Sequence, residues 1–599
     1  MLRPLPLLCL VVLFNSVTGQ SEKDWKGLNA SVQGRLHTLA PLALPCFSQH
    51  DGQPVDVDDA ACNAVRDNYT STIFRSSRPN GYTFLQNEIC VGDEMDHCLL
   101  DDSVKPAAKP GAGSSCNQGS VPSWYIEVHK GSDVAAAFEF SKKHGTPLAI
   151  KNSGHDMLTR NSQKGGLSLW VGRLQDKEYH KDFVPKGCHK KEAVGRAVTV
   201  GTGSPTASIH DFLSQYNSTF VGGFSGTVSA SGGWVQGGGH SILSPVFGLG
   251  ADRVVQFTVV TPDGKERIAN RCQNSDLFWA LRGGGGGTFG VVLDATHRVE
   301  PAAPVAWAMI TIPPSSSDKT VMEWLELQAQ ESLKLGREGW GGHVGGLYLR
   351  RVNPIKPIAN VHDGGAAARA SLQKVIDFAR AHNGTSTVEV LPTFYDVYTK
   401  YINPGGLQNS GRARFMSTRL APRTMFEDKE GIATLMHYIQ KVSDLGFAPR
   451  DFYISVGSPY VADATRPRDR HHRSETSVHP VWYDALWQLA VRFDMAWNAT
   501  NEERVKSFTA LGRATMIQEE LTGPDGGSYG LETNPFTTNW QKSWWGPNYK
   551  RLLKIKNKYD PHRLLNCWKC VGFEESDLES ERFQCNSKMQ HAIDRAMDV

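Results

Sequence analysis

Hydrophobic and polar positions alternate in short runs through the first half of the chain and mix with helical periodicity through the second. Trp124 to Val128 reads as a strand. Ser132 is placed to cap a helix from Asp133 to about His144, with the Asp133 carboxylate favourable at its positive end. Gly145 stops that helix and Leu148 to Ile150 forms the next strand, which completes a β-α-β unit. Ala197 to Val200 predicts a strand leading into a helix from Thr206 to Tyr216. Val254 to Val260 and Lys265 to Ala269 flank Pro-Asp-Gly, a hairpin signal. Asp276 to Leu281 predicts a short helix, then a glycine run and a strand from Gly290 to Ala295.

Beyond about residue 303 the pattern changes. Strands are expected at Ala306–Ile312, His343–Arg350 and Phe452–Val456. Helices are expected at Thr320–Leu335, Gly365–His382, Phe426–Leu445 and Val481–Arg492. Residues 21–118 read as irregular, polar and cysteine-rich, with Lys105 to Ser115 as a flexible linker. Residues 574–599 read as a polar helical tail.

The composition of the 599 residues, 40% hydrophobic and 21% charged, excludes global disorder and fibrous repeats. With 64 Lys+Arg against 61 Asp+Glu there is no broad basic field, so no nucleic-acid partner is expected; nor does any apolar run reach the length of a membrane span. Arg3, the apolar stretch Leu5 to Phe14, and the small residues Val17 and Gly19 make residues 1–20 a secretory signal peptide. Eleven cysteines less Cys9 of the leader leave ten, an even number that in an exported protein favours disulfides. Spacing does not give their connectivity. Cys567-x-x-Cys570 with Cys585 also has the look of a zinc or redox site, but an oxidising compartment favours a disulfide there. Sequons at Asn29, Asn68, Asn217, Asn383 and Asn498 fit a glycosylated, secreted or lumenal protein.

Three glycine clusters follow strand ends: Lys151 to Asp156, Gly222 to Gly239, and Arg282 to Gly290. Glycine allows close backbone approach, and successive free N–H groups form nests for a pyrophosphate. None of the clusters is a Walker loop and none opens a Rossmann helix. Together with Asn-Ser-Gly-His-Asp156, Gly226-Thr-Val, the block Asp276 to Val292, and the C-terminal blocks Asn539 to Leu552 and Lys556 to Pro561, they resemble FAD-linked oxidoreductases of the vanillyl-alcohol oxidase class, in the berberine-bridge-enzyme-like branch and its fungal secreted members.

That resemblance implies an α+β fold: a two-part FAD-binding domain with a smaller α+β substrate domain inserted before the C-terminal segment. The expected divisions are a cysteine-rich segment 21–118, an FAD-binding part 119–302, a substrate part 303–527, a segment 528–573 that completes the FAD domain, and a tail 574–599. It also implies that His155 carries the flavin through a ring nitrogen on the 8α carbon. Ser225 stands where bicovalent members have cysteine, so one covalent link is expected. The backbone of Asn152, Ser153, Gly154, Asp156, Gly226, Thr227, Gly232 and Gly233 is expected to meet the FAD phosphates. Val291 matches an adenine contact, and Asn548 and Tyr549 a pair near the flavin. Tyr529 and Glu532 are the candidate catalytic residues. If their segment is a strand, Tyr529 and Leu531 share one face and Glu532 the other. His471 and His472, within Arg466 to Arg473, lie in a basic stretch read as a surface loop or a lid at the substrate mouth. No metal is expected.

The implied activity is an oxidase that passes electrons from an alcohol, an amine or a ring-closing intermediate to O₂, in fungal secondary metabolism. An extracellular carbohydrate or simple-alcohol oxidase is the alternative, and an exported flavin-binding protein with little turnover is an alternative of another class.

Overall fold

The computed structural model describes residues 20–111, 113–404, 410–465 and 475–598. The expected signal peptide up to residue 19, the Arg466–Arg473 stretch and its two histidines lie outside the described residues.

The first layer is a four-stranded sheet ordered Leu36–Thr38, Trp124–Glu127, Leu167–Trp170, Leu148–Lys151, its last three strands parallel. The helix Gly131–His144 crosses over it. It begins two residues ahead of the expected position because the Asp133 carboxylate accepts from the backbone N–H groups of His129 and Lys130, so the cap acts from inside the first turn. Gly145, at φ 69°, ends it in the left-handed conformation as the sequence implies. A second, antiparallel sheet runs Glu266–Asn270, Val254–Val260, Val291–Arg298, Ala197–Gly201, Lys177–His180. Ile126, Val134, Phe138, Leu169, Val260 and Val291 close one core between the helix and the two sheets.

A seven-stranded antiparallel sheet forms the other half. Its order is Thr385–Leu391, Val305–Thr311, Tyr348–Asn353, Gly341–Gly345, Tyr453–Val456, Ala485–Met495, Ala413–Pro422. The long helices Asp318–Arg337, Lys429–Ser443 and Asn501–Thr522 belong to this half. From the helix Tyr549–Tyr559, buried Lys556 donates to Thr288 O (2.7 Å) and pairs with Asp560 (2.6 Å), which pins the third glycine run to the 549–560 segment.

Four expectations are corrected. Val481–Arg492 is not a helix but a short helical turn, Pro480–Tyr483, followed by the eleven-residue strand Ala485–Met495. That strand lies between two others and is buried on both faces, and its polar residues Gln488 and Arg492 sit four apart, which mimics a helical stripe. His343–Arg350 is a hairpin of two strands, not one strand. Gly365–His382 is two helices, Ala366–Ser371 and Gln373–Ala381. The N-terminal segment is packed rather than irregular: it carries helices Glu22–Ser31, Asp59–Asp67 and Thr72–Ser76. The supposed linker is tied down where Arg66 Nε donates to buried Ala107 O at 2.7 Å.

Five disulfides, Cys46–Cys62, Cys90–Cys585, Cys98–Cys116, Cys188–Cys272 and Cys567–Cys570, use all ten cysteines other than Cys9. No helix among the described residues is long and apolar enough to cross a membrane. Thiol titration of the denatured, unreduced protein lacking residues 1–20 should find no free cysteine. Cys585→Ser should lower unfolding stability by about 2–4 kcal/mol, measured by denaturant titration.

Candidate active site

Between the two halves lies a cavity of about 540 Å³, lined by all three glycine-bearing loops and by one face of the seven-stranded sheet. Asn152, Ser153, Gly154, His155 and Asp156 border it from the first loop, Ser225, Gly232 and Gly233 from the second, and Gly286 and Gly287 from the third. The second and third loops meet main chain to main chain: a Cβ added at Gly286 falls 2.8 Å from Gly233 Cα. Gly154 takes φ 81° as it turns beneath Tyr82, a conformation that L side chains rarely adopt.

The cavity wall holds buried polar atoms that lack a protein partner: Thr83 Oγ1, Asn152 Oδ1, Ser229 Oγ and Gln236 Oε1. Buried polar groups are almost always hydrogen-bonded, so these mark where a polar ligand belongs. A long cleft with main-chain walls, unsatisfied donors and acceptors, and a histidine at its edge fits FAD.

His155 faces the cavity with Nε2 2.8 Å from Thr227 Oγ1. Burial, helped by the nearby Lys151 charge, lowers its pKa to about 4, so the imidazole is neutral. Ser225 Oγ lies 3.3 Å from the same Thr227 hydroxyl. Asp156 accepts from the Arg160 backbone (2.7 Å) and pairs with the Arg160 guanidinium (3.2 Å), which also donates to Gly530 O (3.2 Å). This joins the histidine loop to the segment carrying Tyr529 and Glu532.

That segment is a turn, not a strand: Glu532 N donates to Tyr529 O at 3.0 Å. The strand-face expectation is therefore corrected, and Tyr529 and Glu532 border the same cavity. Burial, then the neighbouring Glu532 charge, pushes the Tyr529 phenol well above its ordinary value. Burial also pushes the Glu532 carboxyl up, but the charge and hydrogen bond of His240 and the amide of Gln488 outweigh it, and the net shift is downward. His240 Nε2 lies 3.2 Å from Glu532 Oε1, Gln488 Nε2 donates to Oε2 at 3.2 Å, and Ser455 Oγ sits 3.2 Å from His240 Nδ1. His240 also meets the Tyr529 ring edge-on at 5.2 Å.

Other expected residues lie elsewhere. Val291 points into the core between the sheets, and its neighbours Gly290 and Val292 border the cavity instead. Asn548 donates to Val478 O at 2.8 Å, and Tyr549 packs against Trp540 and Trp545; neither lines the cavity. Gly226 is set back beside Tyr398, and Thr227 acts through His155. Sequence reading passed over His240, His343, Tyr348 and Tyr453. Only His240 carried a signal, at the end of a glycine run.

Residues 122–270 match the FAD binding domain family, and residues 518–568 match the family described as berberine and berberine like. A FAD-linked oxidoreductase of Aspergillus flavipes is 39% identical over 584 residues, with 92% of each chain covered. The crystal structure of a VAO-type flavoprotein from Myceliophthora thermophila C1 superposes with a TM-score of 0.78 at 28% identity, covering 94% of this chain and 97% of that one. The chain belongs to the FAD-linked oxidoreductases of the vanillyl-alcohol oxidase class. The fold of this FAD-linked oxidoreductase extends to more distant members. A glucooligosaccharide oxidase of Acremonium strictum, described with 6-S-cysteinyl, 8α-N1-histidyl FAD, aligns at TM-score 0.58 and 21% identity over 75% of this chain and 92% of that one.

Gly286→Ala should leave the circular dichroism spectrum intact while flavin absorbance per protein falls by about tenfold or more, because an added methyl meets main chain that has no soft direction to move.

Proposed function

We propose that this protein is a flavoprotein oxidase of the secretory pathway. It carries FAD on His155 alone and oxidises an alcohol or amine of a fungal secondary-metabolite intermediate, with Glu532 as the base. The observation that carries this reading is the convergence of two sites on one cavity: neutral His155 at the edge of the glycine cleft, and on the facing side Glu532, its carboxyl held below its ordinary pKa beside His240. FAD, when bound, supplies a hydride acceptor and, with O₂, an outlet for electrons as hydrogen peroxide.

The chain's own residues do the rest. Thr227 engages His155 Nε2 and leaves Nδ1 for the 8α bond, the nitrogen named in the Acremonium enzyme's linkage. Ser225 offers a hydroxyl, which cannot form a thioether, where that enzyme's second link uses a cysteine, so the residues present would hold FAD by one covalent link. Glu532 takes the substrate's O–H or N–H proton. His240, held from its other side by Ser455, fixes the carboxylate and stabilises its charge. Tyr529, whose phenol is held far above its ordinary pKa, remains protonated and orients the substrate by a hydrogen bond. Location in the secretory pathway is supported by the five disulfides and by the exposure of Asn68, Asn217, Asn383 and Asn498, four of the five sequon asparagines.

Flavin should stay with acid-precipitated protein, and peptide mapping should find one flavinylated peptide, containing His155; His155→Ala should release the flavin on precipitation. Colourless precipitate from the parent protein, or a second linked peptide, contradicts the single attachment.

Anaerobic flavin reduction isolates the chemical step. Glu532→Gln should slow it by about 10²–10⁴-fold, the range of a general base. Tyr529→Phe, which removes one orienting hydrogen bond, should slow it by less than about tenfold. The reverse order makes Tyr529 the base.

A further inference from the structure

The cavity-facing side of the seven-stranded sheet carries more charge than proton removal needs. Its residues fall in transverse rows set by the strand register. One row places Arg350 opposite His343, His343 opposite Ser455, and Ser455 opposite Gln488. The Ser455–Gln488 end of this row holds His240 and Glu532. Arg350 stands at the other end, three strand spacings or roughly 14 Å away. In the next row Tyr348 and Tyr453 flank Gly345, and one further step along its strand lies Arg492, opposite Met416.

The arginines bordering this cavity are Arg160, Arg350, Arg414 and Arg492. Two are neutralised: Arg160 by Asp156 at 3.2 Å, and Arg414 by Asp494 at 2.6 Å. Arg350 and Arg492 are half-buried, and neither has a carboxylate partner among the described residues. Each lies instead over a tyrosine ring, Arg350 over Tyr348 at 5.0 Å and Arg492 over Tyr453 at 5.7 Å. The field of both guanidiniums reaches both tyrosine hydroxyls, so the two cations converge on one region. The cavity's carboxylates are committed elsewhere, Asp156 to Arg160 and Glu532 to His240 and Gln488. Half-buried cations aimed into a cavity without a counter-charge are costly to keep unless a ligand completes them, and a guanidinium fork matches an oxyanion.

We propose that the substrate carries an oxyanion, a carboxylate or a phosphate ester, held by Arg350 and Arg492 at the end of the cavity away from Glu532, with its body lying across Tyr348 and Tyr453. The proposal rests on the oxidase reading in taking this sheet face as the substrate side. It divides the labour within the cavity: the arginine end binds and registers, and the Glu532 end reacts. Binding energy from a group remote from the reacting atom is what fixes that atom's position.

The test is calorimetric titration of the holoenzyme with three ligands of one shape: 2-naphthoate, 2-naphthyl phosphate and the neutral 2-naphthamide. The parent protein should bind at least one anion about 30-fold or more tighter than the amide, as expected for charge-assisted over neutral hydrogen bonds. Whichever anion binds tighter assigns the group as carboxylate or phosphate ester. Arg350→Gln and Arg492→Gln should each weaken that anion by about tenfold or more and leave the amide within about twofold. Equal binding of amide and anions, no binding of either anion, or an anion preference that survives both substitutions overturns the proposal. In the same preparations the flavin is photoreduced and mixed with O₂. Rapid reoxidation without anion preference defeats the oxyanion site alone. Flavin that is absent or inert to O₂ defeats the oxidase reading, while the titrations remain readable because heat, not flavin colour, reports them.

Discussion

Main chain touching main chain at Gly233 and Gly286 is the constraint on which the rest of the molecule depends. The second and third loops can form one wall only if no side chain stands between them. Everything else serves to hold those loops. Lys556 reaches up from the helix Tyr549–Tyr559 to the carbonyl of Thr288, two residues beyond Gly286. Asn152 crosses from the first loop to the carbonyl of Thr202, beside the place where a Gly232 side chain would fall. The Asp156–Arg160 pair carries the histidine loop on to Gly530. The wall is rigid because its contacts are backbone, and it is positioned because its anchors are buried charges and carbonyls.

Around the cavity, burial sorts ionisable groups into different roles. His155 is kept neutral, Glu532 is kept ionised against the same desolvation because His240 and Gln488 answer it, and Tyr453 and Tyr529 are kept protonated. Similar low-dielectric surroundings thus yield an uncharged nucleophilic nitrogen, an anion and two hydroxyl donors, according to which partner each group meets.

The glycine wall was legible in the sequence because main-chain contact demands glycine at fixed places, and no other residue type can stand in. The β-α-β unit and the 254–270 hairpin were legible for the same kind of reason: Gly145 and the Pro-Asp-Gly turn are local signals. The sheet face was not. Gln488 and Arg492 point toward the cavity from a strand whose other face is core, and two polar residues four apart in an apolar run read as a helix. His343 and Arg350 lie seven apart in sequence and side by side in space, across a hairpin that the sequence did not resolve. Glu532 was named, but its partner His240 lies 292 positions earlier, and no spacing rule connects them. Tyr529 and Glu532 were assigned to opposite faces because a strand was assumed. The turn that brings both to one cavity depends on Arg160 and Thr418 holding the segment from outside.

The Cys90–Cys585 bond joins the N-terminal segment to the helix Gln584–Met597 across 495 positions of sequence. It makes a covalent ring of nearly the whole molecule, with both halves and all three glycine loops inside it. During synthesis the ring cannot close until Cys585 has left the ribosome, so the early part must hold its shape by packing and by its own shorter disulfides, Cys46–Cys62, Cys98–Cys116 and Cys188–Cys272, while the later one is made. Once closed, the ring changes what damage means. A protease that cuts any one loop between the two cysteines produces a nicked particle whose pieces stay attached, and the cavity walls are not free to diffuse apart. That turns a broken chain from a loss into a scar.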